Sequence, residues 1–490
     1  MASASHSRRI RHRDAATLPT INDEKQFLTM EIPELTLRRG SDAPPMTVRQ
    51  RLIVILLLGA NFMLSADFSI LNVALPEVGR AVGLKVSDFP WVATSFALPA
   101  AGLSLLFGRL GDLYGLRRMF LIGLALLAAS SLLGGIATEP VVLLAARVLQ
   151  GVATAMTGPA ALALLITVFA DERQRARALG LNGALLSGGF TFGALVGGML
   201  VDVLSWRWAF LINVPTAIII LAVTPFVISA AHSRNGVRLD IPGAVSGTLG
   251  LVAIVFGFTE QSAAALAVGA TLLVLFFWIE RRASAPLVAI EMLAWPSVRW
   301  GNVAVLTIFS MEAGLIYLVT IYLQEVLHLG PFATGLVFGV PGLASIVAGI
   351  LAGRIVARRG ARPVLLVALL VQGGFTAPLI LLGSDPNSMW LLIPALFVGF
   401  FGHITAVVAA TVAATSEVPE TSKGLASGLM TTSQRVASTI GIPALAAVMA
   451  ARANLLGGIH IALAADVLFT VIAVVLIAAG LKQRLPAATR

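Results

Sequence analysis

No cysteine occurs anywhere in the 490 residues. A disulfide framework and a thiolate metal site are both excluded. Charge is scarce as well: Asp, Glu, Lys and Arg make up 12% of the chain, against about 25% in an ordinary soluble domain. There is no G-x-x-x-x-G-K-[ST] phosphate loop, no H-E-x-x-H pair and no G-x-S-x-G nucleophile elbow. ATP is therefore not the direct energy source, and the sequence points away from an enzyme. No cofactor or metal is expected. Long polar stretches are also missing beyond the first 50 residues, so no sizeable soluble domain is expected.

What fills the chain instead is hydrocarbon. Hydrophobic residues reach 58% and the mean hydropathy is +0.92. An integral membrane protein built only of helices follows. The net charge of +10 does not point to nucleic acid, because the basic residues fall in short loops between apolar runs. Residues 1–50 are polar and carry Arg8, Arg9, Arg11 and Arg13. They read as a disordered cytoplasmic tail. Two readings of its arginines are open, contact with anionic lipid and a simple orientation signal. No apolar stretch of signal-peptide type follows them, so the first apolar run is read as the first span.

A helix needs about 20 apolar residues to cross a bilayer. Segments of that kind cover 52–74, 89–108, 119–137, 141–169, 179–201, 208–230, 242–259, 263–279, 301–323, 335–357, 363–383, 389–414, 425–450 and 457–481. Fourteen spans are expected. Basic residues then alternate from loop to loop. One set of loops holds Arg109, Arg117 and Arg118; Arg173, Arg175 and Arg177; Arg234 and Arg238; Arg281, Arg282 and Arg299; Arg354, Arg358, Arg359 and Arg362; and Lys423. The other set holds only Arg80, Lys85, Arg207 and Arg452. The positive-inside rule places both termini in the cytoplasm, including the tail at 482–490.

An internal repeat divides the chain. GRLGDLYGLRR (108–118) and GRIVARRGARP (353–363) align at a shift of 245 residues, matching Gly108 with Gly353, Arg109 with Arg354 and Gly115 with Gly360. The same shift carries Asp67 to Glu312. The expected plan is a six-helix bundle at 51–230, two linker helices at 231–298 and a second six-helix bundle at 299–481. Parallel halves with a binding site between them at the midplane are a transporter plan. A channel would not need one acid in each half.

Six motifs carry a family resemblance. Residues 108–118 resemble the loop motif of the major facilitator superfamily, and LAARVLQGVATA (144–155) resembles its fourth-helix motif. ADFSILNVALP (66–76), WRWAFLINVP (206–215), LDIPGAVSGTLGL (239–251) and IYLQEVLHLGPFATGL (321–336) are similar to segments of the fourteen-helix drug:proton antiporters of the EmrB/QacA type. The resemblance runs from about residue 50 to the end. It implies proton-coupled export of lipophilic or cationic drugs by alternating access, from the inner membrane of a bacterium. Export of one metabolite or siderophore, and proton-linked import, stay open. The expected partners are a small-molecule substrate, protons and the lipid bilayer. A periplasmic adaptor and a lone monomer are both compatible with the sequence.

Asp67 lies within an apolar run, where a carboxylate costs roughly 3 kcal/mol or more. Burial raises a carboxylate's pKa and a nearby cation lowers it, so an acid held between the two can change protonation in a cycle. Arg147 lies at a matching depth, about 10 Å below the outer end of its span at about 1.5 Å per residue. Coupled proton carrier and static ion pair are the two readings of this pair. Glu312 either offers a negative charge to cations in a cavity, with Phe309 and Tyr317 as aromatic support, or pairs with Arg435. His403 is a weaker cavity candidate, since a lone histidine on an apolar face is more often a packing residue. Asn61 and Gln150 line the cavity or bond between helices.

In the loop motif, Gly108 and Gly115 are expected to allow a tight turn. Asp112 lies between Arg109 and the pair Arg117 and Arg118 and is a candidate gate. The resemblance implies that it latches the outward-facing form. The repeat copy has Ala357 there, so the latch is one-sided. Gly189, Gly193 and Gly197 share one helix face and should admit a close neighbour. The family's antiporter motif places proline where this chain has Ala194, which weakens the implied antiport.

Overall fold

The protein is described here by a computed structural model that covers residues 46–169, 172–229, 240–283, 286–419 and 422–481. The expected tails, and the loop arginines Arg234 and Arg238, lie outside the described residues.

Helices account for all regular structure among the described residues. The first half holds α1 (Val48–Ala81), α2 (Pro90–Gly102), α3 (Ser104–Tyr114), α4 (Leu116–Gly135), α5 (Pro140–Val168), α6 (Glu172–Val203), α7 (Trp208–Leu211) and α8 (Asn213–Val227). The linker hairpin is α9 (Ile241–Thr259) and α10 (Ala263–Glu280). The second half holds α11 (Pro296–Ile321), α12 (Pro331–Arg359), α13 (Ala361–Thr376), α14 (Met389–Thr415), α15 (Lys423–Met449) and α16 (Leu455–Gly480). Among the described residues twelve segments are long and apolar enough to cross a membrane, and the bent pair α2–α3, counted as one span, makes thirteen. α15 has the length but not the apolarity, because Thr431 to Arg435 read TTSQR.

Local chemistry sets the helix ends. Thr47 and Gln50 form a reciprocal capping box at the start of α1. Asp240, Ser262 and Asn454 accept backbone N–H bonds at the starts of α9, α10 and α16. Proline opens α2, α5, α11 and α12, where its missing N–H costs nothing.

The loop motif is mostly helix. Gly108 lies inside α3, beside Pro159, and does not form the turn. The turn falls on Gly115 alone, whose φ of +99° suits a residue without a Cβ. Its repeat partner Gly360 turns the chain in the same way at φ +84°.

The 245-residue shift also relates the packing. α1 packs on α6 as α11 packs on α15, and α4 on α5 as α13 on α14. The glycine face of α6 meets α1. A Cβ on Gly189 would stand 2.8 Å from the Phe62 carbonyl oxygen, one on Gly193 2.8 Å from the Ala66 Cα, and one on Gly197 2.9 Å from the Ile70 Cα. Such contact needs bare backbone.

The halves meet along two seams that exchange under the shift, α6 with α12 and α2 with α15. They are not alike. The α6–α12 seam is tight: Gly335 abuts the Ala194 carbonyl and Gly342 abuts Thr191. On the other seam, α2 and α3 are bent by 45° where α12 runs unbroken. The linker hairpin covers that seam, with α9 against both α2 and α15.

We call the end where α1 begins the tail face and the opposite end the far face. At the far face three contacts tie the halves together. Arg80 meets Glu325 at 2.7 Å, Gln324 Nε2 donates to the Val73 carbonyl at 2.7 Å, and the Phe332 N–H donates to Asp202 at 2.9 Å. Arg80 and Glu325 are 245 residues apart, the repeat shift itself.

Candidate functional site

The first-half site gathers on a buried carboxylate. Asp67 in α1 and Arg147 in α5 are each 1% exposed, and Arg147 Nη1 stands 3.6 Å from Asp67 Oδ2. The depth match between the two spans is real contact. The other carboxylate oxygen, Oδ1, accepts a short hydrogen bond from Asn213 Nδ2 at the start of α8.

Arg147 is held by more than its acid. Its Nε donates to the Val92 carbonyl at 3.0 Å, and Nη1 donates to Gln150 Oε1 at 2.8 Å. The guanidinium lies 4.3 Å from the centroid of Phe96. Gln150 passes the chain on, donating to Ser131 Oγ at 2.8 Å. Five helices thus converge on one ion pair. Besides Asp67, Arg147 has Val92, Gln150 and Phe96 as partners. Gln150 is buried within this network, and Asn61 donates to Asn182 Oδ1 at 2.7 Å between α1 and α6. Both are interhelical bonds.

Glu312 does not pair with Arg435. It turns into the second half, where its Oε1 lies 3.3 Å from His403 Nε2. His403 is clasped by Phe309 and Phe400, with ring centroids 5.5 and 5.7 Å away. Phe309 therefore packs on a histidine, and Tyr317 is buried in the core. A void of about 10 Å³ adjoins Glu312, His403, Gln372 and Thr376. It is about large enough for one water. His403 Nδ1 and Gln372 Oε1 border it as buried atoms without a protein partner. Here the polar groups face a pinhole, not a roomy chamber.

Arg435 points the other way, across the division of the halves. A methyl built on Gly158 of α5 would lie 3.7 Å from its Nη2. Among the described residues its guanidinium has no acid partner.

The gating arginines are also committed elsewhere. Arg109 donates to the Pro286 carbonyl at 3.2 Å and Arg117 to the Pro225 carbonyl at 3.0 Å. Asp112 makes no ion pair among the described residues, and Arg118 is exposed. The Pro225 carbonyl lies in the last turn of α8 and the Pro286 carbonyl outside any helix, so both are open to these donors.

The sequence reading missed Asn213, the Val92 carbonyl, Phe96 and Ser131. It also missed Asp466, buried in α16. Asn213 and Asp466 were open to detection as lone polar residues in apolar runs. The carbonyl was not, since nothing in sequence distinguishes it. Among the described residues no group of three His, Asp or Glu could hold a metal.

The family model for the Major Facilitator Superfamily matches residues 57–442. The chain is 34% identical to the puromycin resistance protein pur8 of Streptomyces alboniger over 401 residues, covering 79% of this chain and 80% of that protein. It is 35% identical to the cephamycin export protein CmcT of Amycolatopsis lactamdurans, covering 79% and 82%. Among solved structures it is similar to a POT family transporter in complex with a thioalcohol-conjugated peptide, with a TM-score of 0.65 at 13% identity, covering 88% of this chain and 96% of that one. It is likewise similar to a bacterial homolog of the human lysosomal transporter Spinster, inward-facing and unoccupied, with a TM-score of 0.64 at 14% identity, covering 89% and 98%. These two likenesses concern the fold.

Proposed function

The chain belongs to the Major Facilitator Superfamily, and from that membership we propose that it exports lipophilic, drug-like compounds in exchange for protons. It is a multi-pass membrane transporter and not an enzyme. Its relatives' names supply the direction, as one confers puromycin resistance and another exports cephamycin. In our reading α15 also crosses and completes fourteen spans, the tail face is cytoplasmic, and the far-face contacts belong to a state closed to the outside.

The observation that carries proton coupling is the pair Asp67–Arg147. Intramembrane ionisable groups are functional by default, and an arginine does not give up its proton in practice. Asp67 is then the group that cycles. Arg147 is kept in place by Val92, Gln150 and Phe96 whether Asp67 is charged or neutral. Loading Asp67 with a proton releases its hold on α5 and lets α1 shift.

Everted membrane vesicles test this. An imposed proton gradient should drive ethidium uptake by the wild type, and a protonophore should abolish it. Asp67→Asn, confirmed as folded in the membrane, should lose gradient-driven transport by about a hundredfold, as expected for loss of an essential proton group. Transport by Asp67→Asn at the wild-type rate would rule out Asp67 as the carrier.

A second reading concerns the substrate's charge. Of the two candidate cavity groups, Arg435 and not Glu312 faces the opposite half. A guanidinium recognises carboxylates in a bidentate manner. Carboxylate-bearing or zwitterionic metabolites are then the favoured cargo. Arg435→Gln should weaken their transport and leave ethidium transport intact.

A further inference from the structure

The linker hairpin has no assigned role beyond joining the halves. It encloses a cavity of about 350 Å³ on the looser of the two seams. That size falls within the roughly 300–1,000 Å³ of small-molecule sites.

The walls come from both halves. α9 and α10 supply Leu251 and Phe276, the bent second span supplies Leu105, and α11 and α15 supply Val303, Leu306 and Val436. Most of the lining is hydrocarbon. Polar groups gather toward the tail face, where Arg299 and Asn302 lie one to two turns from the start of α11. Asn302 accepts a hydrogen bond from Ser433 at 2.8 Å, which fixes it. Arg299 is exposed and makes no ion pair among the described residues.

The enclosure is built and not incidental. Trp91 donates to Glu260 at 3.1 Å and anchors the hairpin tip to α2. Thr248 donates to the Gly102 carbonyl at 3.1 Å, at the break between α2 and α3. Arg109 holds the Pro286 carbonyl at 3.2 Å. The Glu280 carboxylate accepts from the Leu287 and Val288 N–H groups at 3.3 and 3.1 Å, which holds these two lining residues against α10. Leu306 and Phe277, both in the lining, stay 37% and 45% exposed.

We propose that this cavity is a binding site for a membrane-borne amphiphile, with its apolar body between α9, α10 and α11 and its anionic head on Arg299. The polarity gradient matches the orientation of such a molecule in the tail-face leaflet. The lining includes α2 and α3 of the first half and α11 and α15 of the second, so rocking of the halves would change the cavity's volume. The proposal concerns binding and stands apart from the proton-driven export above.

Photolabelling of the full chain in nanodiscs tests it. One arm uses diazirine-tagged palmitate and the other diazirine-tagged phosphatidylglycerol. Adducts are expected on peptides spanning 243–251 and 273–277. Arg299→Gln should reduce labelling roughly tenfold, the loss of one charged hydrogen-bonding anchor. Val303→Trp should reduce it by filling the cavity. Leu306→Trp, at a partly exposed position, does the same should Val303→Trp fail to fold. Labelling by palmitate alone assigns the site to a free amphiphile, and labelling by the phospholipid assigns it to bilayer lipid. Adducts spread equally over the exposed face of α16, or unchanged in the tryptophan variants, would overturn the proposal.

Discussion

Arg147 shows how much one side chain can carry in a low-dielectric setting. Removing it as Arg147→Ala strands Asp67 with Asn213 as its remaining partner. Breaking a buried pair in this way costs about 3–5 kcal/mol. Thermal unfolding of the detergent-solubilised variant should show a lowered Tm, and the double variant Arg147→Ala/Asp67→Asn should recover part of it. The pairing was readable in advance, because depth along two antiparallel spans follows from counting residues. The alternative reading that paired Glu312 with Arg435 fails for the same reason. Counting gives depth but not the azimuth of a helix, and the two side chains leave their helices toward different neighbours.

At the scale of the helix, α6 is constrained on two faces. It presents glycine to α1 on one face and Ala194 to α12 on another. Gly193→Leu would drive a branched side chain into the Ala66 backbone. Loss of folded protein in size-exclusion chromatography is expected, beyond the roughly 1–3 kcal/mol of ordinary overpacking. Ala194→Pro would remove a backbone bond from an unbroken helix, at about 3 kcal/mol, and bend it at the seam. We expect reduced expression or Tm and a changed transport rate, read side by side. The glycine face was plain from a four-residue spacing. The break in the second span was not read, although Pro99 lies inside α2 just before it; Thr248 of α9 donates to the Gly102 carbonyl at that point. The weak apolarity of α15 was likewise masked by its length.

For the whole molecule, alternating access requires the far-face contacts to come and go. The Arg80–Glu325 pair is half-exposed on the arginine side, so it contributes about 1 kcal/mol or less. It biases the closed state without trapping it. A chain free of cysteine makes the test clean. Arg80→Cys with Glu325→Cys, bridged by a short bifunctional thiol reagent, should stop transport, and cleavage of the bridge should restore it. Unimpaired transport by the bridged protein would mean that this face does not open.

The same pair bears on ancestry. A position on a two-fold axis meets its own copy, so in a dimer of identical subunits arginine would oppose arginine, or glutamate would oppose glutamate. Either way like charges would repel. Arg80 and Glu325 occupy matching places in the two repeats and attract one another. This contact could arise only after gene duplication and fusion had freed the two copies to diverge.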